Sequence, residues 1–214
     1  MRVIIVGGHG KVALRAARLL SQRGDEVTAL IRNPDHAADV RAAGATPVRF
    51  DVEDATDADF GDAIAGHDAI VWSAGAGGGD PTRTDAVDRD AAIRSMRAAS
   101  TAGVRRYVMV SYFGAGLDHG VPQDNSFYAY AEAKAAADEF LRHSELDWTI
   151  LGPSRLTDRP GGGISVGAAG TAGRAESVSR DAVAAVIAAV LSDPTTIGRQ
   201  LEFSDGADAV GLAW

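Results

Sequence analysis

Residues 1–20 read MRVIIVGGHGKVALRAARLL. Val3–Val6 is an unbroken apolar run, Gly7-Gly8-His9-Gly10 follows, and a helix-compatible stretch starts at Lys11 with no linker between. Gly7, Gly10 and Ala13 give the spacing G-x-x-G-x-x-A. In such a turn the first glycine permits a sharp change of direction. The second lets the backbone approach a pyrophosphate, and a small third residue lets helix and strand pack closely. The free N–H groups and partial positive charge of the helix N-terminus then favour phosphate. The stretch is expected to open a βαβ unit of about thirty residues that binds a dinucleotide.

Downstream the alternation repeats. Strands are expected at Glu26–Ile31, Thr46–Phe50, Ala69–Trp72, Tyr107–Val110 and Trp148–Leu151. Helices are expected at Lys11–Arg23, His36–Ala43, Asp57–Ala65, Asp85–Ala102, Phe127–His143 and Ser179–Leu191. Short strands separated by helices imply a parallel sheet with helices on both faces. The strands are nearly all apolar, as strands covered on both faces should be. The expected fold is α/β, a Rossmann-like doubly wound parallel sheet. Residues 1–214 are read as a single domain, with 152–180 and 195–214 forming a small substrate-side part. Within that tail Ile164–Val166, Glu176–Val178 and Gln200–Phe203 are strand candidates.

Composition narrows the function. The formal charge is −8 and no basic run stands out, so nucleic acid and anionic membrane have no electrostatic support as partners. With no cysteine, disulfide scaffolds, cysteine–zinc sites and thiol catalysis are excluded. The apolar run at the N-terminus is too short for a signal peptide, and no stretch of about 18 apolar residues exists to span a bilayer. The expectation is a cytoplasmic protein acting on a small molecule. Its oligomeric state is not legible. The five histidines, at 9, 36, 67, 119 and 143, lack metal-ligand spacing, and no metal is expected. His9 lies in the glycine loop, where its backbone N–H would edge the cofactor.

The second strand ends Thr28-Ala29-Leu30-Ile31-Arg32-Asn33. An acid at that place holds the ribose 2′-hydroxyl of NAD, whereas an arginine suits the 2′-phosphate of NADP. Arg32 therefore favours NADP, with Lys11 as a second cation. In the helix from Phe127, Tyr130 and Lys134 lie four apart and share a face. An ammonium beside the phenol would lower its pKa and fit it to protonate a carbonyl while hydride arrives from a nicotinamide. Tyr128 has Glu132 at the same offset, which would act in the opposite sense. Ser111 ends the fifth strand, at the sheet edge where open α/β sheets bind ligands, and could hold the substrate oxygen.

With these motifs in order, the chain resembles the atypical and extended short-chain dehydrogenases/reductases. It lies near the small NAD(P)H-binding proteins of NmrA-like and biliverdin reductase B-like type. The carrying residues are VGGHGKVA at 6–13, ALIRNPD at 29–35, Asp51-Val52, SAGAG at 73–77, VMVSYFGA at 108–115, YAEAK at 130–134 and TILGPSRLTD at 149–158. The resemblance implies that Gly7, Gly10, Lys11 and Val12 line the pyrophosphate and that Arg32 meets the 2′-phosphate. It implies further that Asp51 and Val52 flank the adenine, and that Ala74 and Gly75 sit by the nicotinamide-side ribose. Lys134 would reach that ribose, Pro153 would stand beside the nicotinamide, Tyr130 would be the acid and Ser111 its partner. Two positions depart from the family pattern: Tyr112 replaces a second serine, and Gly152-Pro153-Ser154 replaces Arg-Pro-Gly. Both lie at the expected substrate edge.

The acidic run from Asp51 to Asp62 reads as a loop and helix N-terminus, Asp51 excepted. Trp72 reads as core, and Trp214 has no assigned place. The loops Gly77–Thr84, Gly114–Asn125 and Arg155–Ile164 should converge over the nicotinamide. They carry Arg83, Asp118, His119, Arg155 and Asp158 with few large apolar groups, which suits a small polar substrate or plain solvent-exposed loops. The expected function is NADP-dependent reduction of a small carbonyl or quinone-like compound, or related epimerase-type chemistry. The alternative is a non-catalytic NADPH-sensing binding protein.

Overall fold

A computed structural model describes residues 1–77, 80–161, 163–167 and 177–211. Glu176, the start of one expected strand, and Trp214 lie outside the described residues. The chain folds as β1 (Arg2–Val6), α1 (Lys11–Gln22), β2 (Glu26–Ile31), α2 (Ala37–Ala42), β3 (Thr46–Arg49), α3 (Asp57–Ile64) and β4 (Ala69–Trp72). A helical segment follows: α4 (Pro81–Thr84), a π-helical stretch Asp85–Ala91, then α5 (Ala92–Ala102). Next come β5 (Arg106–Val110), α6 (Tyr128–Arg142), β6 (Asp147–Pro153), β7 (Arg155–Thr157), β8 (Gly163–Gly167), β9 (Ser177–Ser179), α7 (Arg180–Ser192), β10 (Arg199–Asp205) and β11 (Asp208–Ala209).

The large sheet runs β11-β8-β10-β6-β5-β4-β1-β2-β3, parallel from β3 through β10 and antiparallel at β8 and β11. The direction of strand addition reverses between β1 and β4, which makes the crevice at their carboxyl ends the ligand-binding switch point of an open α/β sheet. The Rossmann-like reading holds. The tail strand β10 joins the same sheet, parallel to β6. β7 pairs with β9 in a separate small sheet. Neither β7 nor β11 carries an apolar alternation strong enough to mark it in the sequence.

Alternate residues of β1 serve the two faces. Val3 and Ile5 pack with Ala16 and Leu20 of α1 and Val186 of α7. Ile4 and Val6 pack with Phe60 of α3, Met96 of α5 and Leu141 of α6. Trp72 is fully buried in this second layer. Pro47 lies in β3, at the sheet edge, where its missing N–H costs no central ladder bond. The acidic run after β3 leads to a capping box. Thr56 Oγ1 accepts from Asp59 N–H and Asp59 Oδ2 accepts from Thr56 N–H. Among the described residues no helix is long and apolar enough to cross a membrane.

The glycine loop is fixed by packing as well as by turn geometry. A Cβ on Gly8 would lie 2.5 Å from Ala29 Cβ and 3.0 Å from Ala29 Cα. At Gly61, inside α3, an added Cβ would meet nothing within 4 Å. Gly8→Ala should therefore destabilise the fold by about 1–3 kcal/mol. Gly61→Ala should be neutral or stabilise it by up to about 1 kcal/mol. Urea denaturation of both variants checks the contrast, and equal effects would contradict it.

Candidate active site

The first cavity, about 420 Å³, lies at the switch point. Gly7 has φ +81°, and a Cβ there would sit 2.5 Å from Ala74 Cα, so the loops after β1 and β4 touch backbone to backbone. Gly10 N–H donates to Gly7 O, closing the turn. Gly10 also caps α1 without a side-chain bond, and the first turn of α1 carries no acid. Its N–H groups are therefore available to an anion. Gly7, His9, Gly10, Arg32, Asp51, Val52, Ala74 and Gly75 all line this cavity. The cradle fits the pyrophosphate and adenosine of a dinucleotide. Lys11 and Val12 do not line it. Lys11 Nζ pairs with Asp158 Oδ2 at 2.9 Å, and Val12 is packed into the core.

The Arg32 end of this cavity holds groups that the sequence did not mark. Glu53 Oε1 accepts from Arg32 at 2.9 Å and from Arg83 Nε at 2.8 Å. Arg83 also donates to Ala76 O, tying the start of α4 to the loop after β4. Arg83 thus borders the first cavity with Arg32, while Gly77, Asp80 and Thr84 of the same loop line a cavity with Tyr130. His9 stacks on His36 with ring centroids 3.6 Å apart, and His9 Nε2 lies 2.9 Å from Asp39 Oδ2. No local pattern links Glu53 or Arg83 to Arg32, because each comes from a different loop, whereas His36 follows Arg32 in the same connection after β2.

A second cavity, about 520 Å³, brings together Ser111, Tyr130 and Pro153 with Tyr112, Phe113, Val121, Phe127, Ser154, Arg155 and Leu156. Phe127 packs against Tyr112 and Tyr130 with centroids 5.1 Å apart in each case. The wall is mainly aromatic and aliphatic, although the loops themselves carry few large apolar groups. Of the charged loop residues, Arg155 borders this cavity. Asp158 is paired with Lys11, Arg15 and Arg180, and His119 Nε2 lies 2.7 Å from Glu132 Oε1. Ser154 Oγ is buried with no hydrogen-bond partner among the described residues. A third cavity shares Tyr130 and Phe127 with the second and Gly75 with the first. The three cavities therefore adjoin one another through shared walls.

The electrostatics around Tyr130 differ from the simple pair read in sequence. Tyr130 and Lys134 do share a face of α6, but Lys134 is 1 % exposed and lines none of these cavities. Its ammonium donates to Val110 O at 3.0 Å and to Met109 Sδ at 3.1 Å. Burial drives the Lys134 pKa down, against the pull of Asp138 and Asp88. The Tyr130 pKa moves up rather than down. Burial raises its pKa, and the carboxyl groups of Asp88 and Asp138 raise it further. The sequence reading lacked both acids. Asp138 follows Lys134 by four residues, so the helical period could have shown it. Asp88 arrives from the π-helical stretch, where its Oδ2 accepts Ala76 N–H at 3.0 Å. Ser111 Oγ is hydrogen-bonded to Asp138 Oδ2.

The chain has relatives that match it over nearly its whole length. A family model described as NAD(P)H-binding matches residues 7–194. The Bacillus subtilis protein YhfK, named an uncharacterised sugar epimerase, is 34 % identical over 100 % of this chain and 98 % of its own. A structure from Bacillus halodurans, provisionally named an NAD-dependent epimerase/dehydratase, superposes with TM-score 0.90 at 32 % identity, covering 99 % of this chain and 97 % of that one. The oxidoreductase YlbE of Lactococcus lactis gives TM-score 0.86 at 26 % identity, over 100 % and 94 %. With a glycine cradle at the switch point and matches over nearly its whole length, the chain belongs to the NAD(P)H-binding family, among atypical short-chain dehydrogenase/reductase-like proteins of oxidoreductase and epimerase type.

Proposed function

We propose that the chain is an NADP-dependent oxidoreductase that reduces a flat, mainly apolar carbonyl or quinone-like compound in the second cavity. One observation carries this reading: Ser111 and Tyr130 line the same aromatic-walled cavity, and Tyr130 borders the space that reaches Gly75 beside the glycine cradle. The reduced nicotinamide supplies a hydride when bound. Tyr130, with its pKa raised, stays protonated at neutral pH and serves as donor to the substrate oxygen. Ser111 holds the same oxygen. Phe127 and Tyr112, packed edge to face, give the substrate an apolar wall that excludes water. Such walls offer little to the many hydroxyls of a sugar, which favours carbonyl reduction over epimerisation. Pro153 completes the cavity edge between Ser111 and Arg155.

The NADP preference rests on two guanidinium groups, Arg32 and Arg83, that share a single carboxylate, Glu53. A 2′-phosphate would find paired cations there. Glu53 could instead accept the ribose hydroxyl of NAD, a second reading that the same geometry supports.

Arg32→Asp should weaken NADPH binding about 10–100-fold, as expected for loss of charge-assisted bonds. NADH binding should change little, and fluorescence titration measures both. An unchanged NADPH affinity would rule out the phosphate role, and a matching loss for NADH would favour the Glu53 reading.

Turnover is tested by following NADPH absorbance with a panel of quinones and aromatic carbonyls. Tyr130→Phe should slow turnover about 100-fold or more, with cofactor affinity nearly unchanged. Retained turnover would remove Tyr130 as the acid. Cofactor binding without consumption across the panel would support a cofactor-sensing protein.

A further inference from the structure

Ser111 lines the second cavity, yet its hydroxyl is bonded inward, through a short contact between Oγ and Asp138 Oδ2. Asp138 is fully buried on α6. Its other oxygen, Oδ1, has no hydrogen-bond partner among the described residues. Lys134, Arg142 and Tyr130 approach it from α6, Tyr107 from β5 and Ser111 from the end of β5, while Asp88 faces Lys134 from the π-helical stretch. Neither cation pairs with it directly. Lys134 is engaged by Val110 O and Met109 Sδ, and Arg142 by Glu139 and Gln200.

An ionised carboxylate in this position would keep one oxygen dry and unbonded, at a heavy desolvation cost. A carboxylic acid avoids most of that cost. The same proton decides what Ser111 can offer, because a serine has one O–H to give. Ionised Asp138 would take that proton and leave only lone pairs toward the cavity. Neutral Asp138 donates its own O–H to Ser111 Oγ and releases the Ser111 proton toward the cavity.

We propose that Asp138 is a buried neutral acid that donates to Ser111 Oγ and so fixes Ser111 as a hydrogen-bond donor to a substrate oxygen in the second cavity. Asp138 is then a positioning residue, and the site selects a bare acceptor oxygen such as a carbonyl. The substrate half of this rests on the reductase reading. The state of Asp138 does not. Burial raises the Asp138 pKa against the opposing pull of Lys134 and of the Ser111 bond.

The first test compares wild type with D138N by denaturation across pH. With a folded pKa above the unfolded value of about 3.9, the folded chain holds a proton that the unfolded chain releases. Stability therefore falls as pH rises between those two values, by about tenfold in the folding equilibrium per pH unit. D138N lacks this titration, so its stability relative to wild type should climb with that slope from about pH 5 upward. A flat difference overturns the proposal. Infrared spectroscopy at neutral pH should show a protonated-carboxyl band that is absent in D138N and displaced in S111A. If D138N fails to fold, S111A decides: an undisplaced band, or no such band in wild type, overturns the proposal. With a quinone that wild type reduces, turnover should fall at alkaline pH as Ser111 loses its donor role, and D138N should lack that limb. An alkaline limb retained in D138N overturns the assignment. If wild type reduces nothing, the reductase reading fails while the stability and infrared measurements still settle Asp138.

Discussion

The close approach of two backbones sets the rest of the structure. Gly7 and Ala74 follow the neighbouring parallel strands β1 and β4, and no side chain fits between them. That contact closes the floor of the switch-point crevice. Gly8 meets Ala29 in the same way on the other side, so the loop is pinned to β2 as well. With the loop held, α1 begins at a fixed height and presents its first-turn N–H groups at the sheet edge. Those N–H groups are left open to an anion by the backbone alone, while the Lys11 ammonium is paired with Asp158.

Farther along the edge, charge replaces backbone as the ordering element. Asp88, Lys134 and Asp138 are all buried, with two acids facing one ammonium. Desolvation dominates each of them, raising the acids and lowering the lysine. Burial raises the Tyr130 pKa, and ionisation of Asp88 or Asp138 would raise it further. Asp88 also anchors the loop after β4 through Ala76 N–H. The group that shapes the phenol's proton affinity therefore also anchors the loop whose Gly75 lines both the first and the third cavity.

The tail builds the far wall. Glu202 of β10 is buried, and its Oε1 accepts Gly114 N–H at 2.8 Å, tying the loop after β5 to the added strand. Gly152 allows this. A Cβ there would lie 3.0 Å from Glu202 Cγ and 3.2 Å from Tyr112 O. Glycine at this position is thus a packing requirement of this chain, set by Glu202 on one side and by the backbone of Tyr112, a member of the aromatic wall, on the other.

The sequence by itself determined the α/β alternation, the parallel core strands and the glycine cradle, because these rest on local rules: apolar runs, helix periodicity and turns that exclude a Cβ. It also placed Arg32 beside the cradle and Ser111 and Tyr130 at one edge, since strand ends fall where the pattern stops. Tertiary structure decided what surrounds them. Glu53 and Arg83 reach Arg32 from separate loops, Asp88 reaches Lys134 from a π-helical stretch, and β10 extends the sheet beside β6. The sense of the Tyr130 shift reversed for the same reason. A spacing of four residues fixes which side chains share a helix face, whereas burial and acids from other segments fix the charge each one keeps.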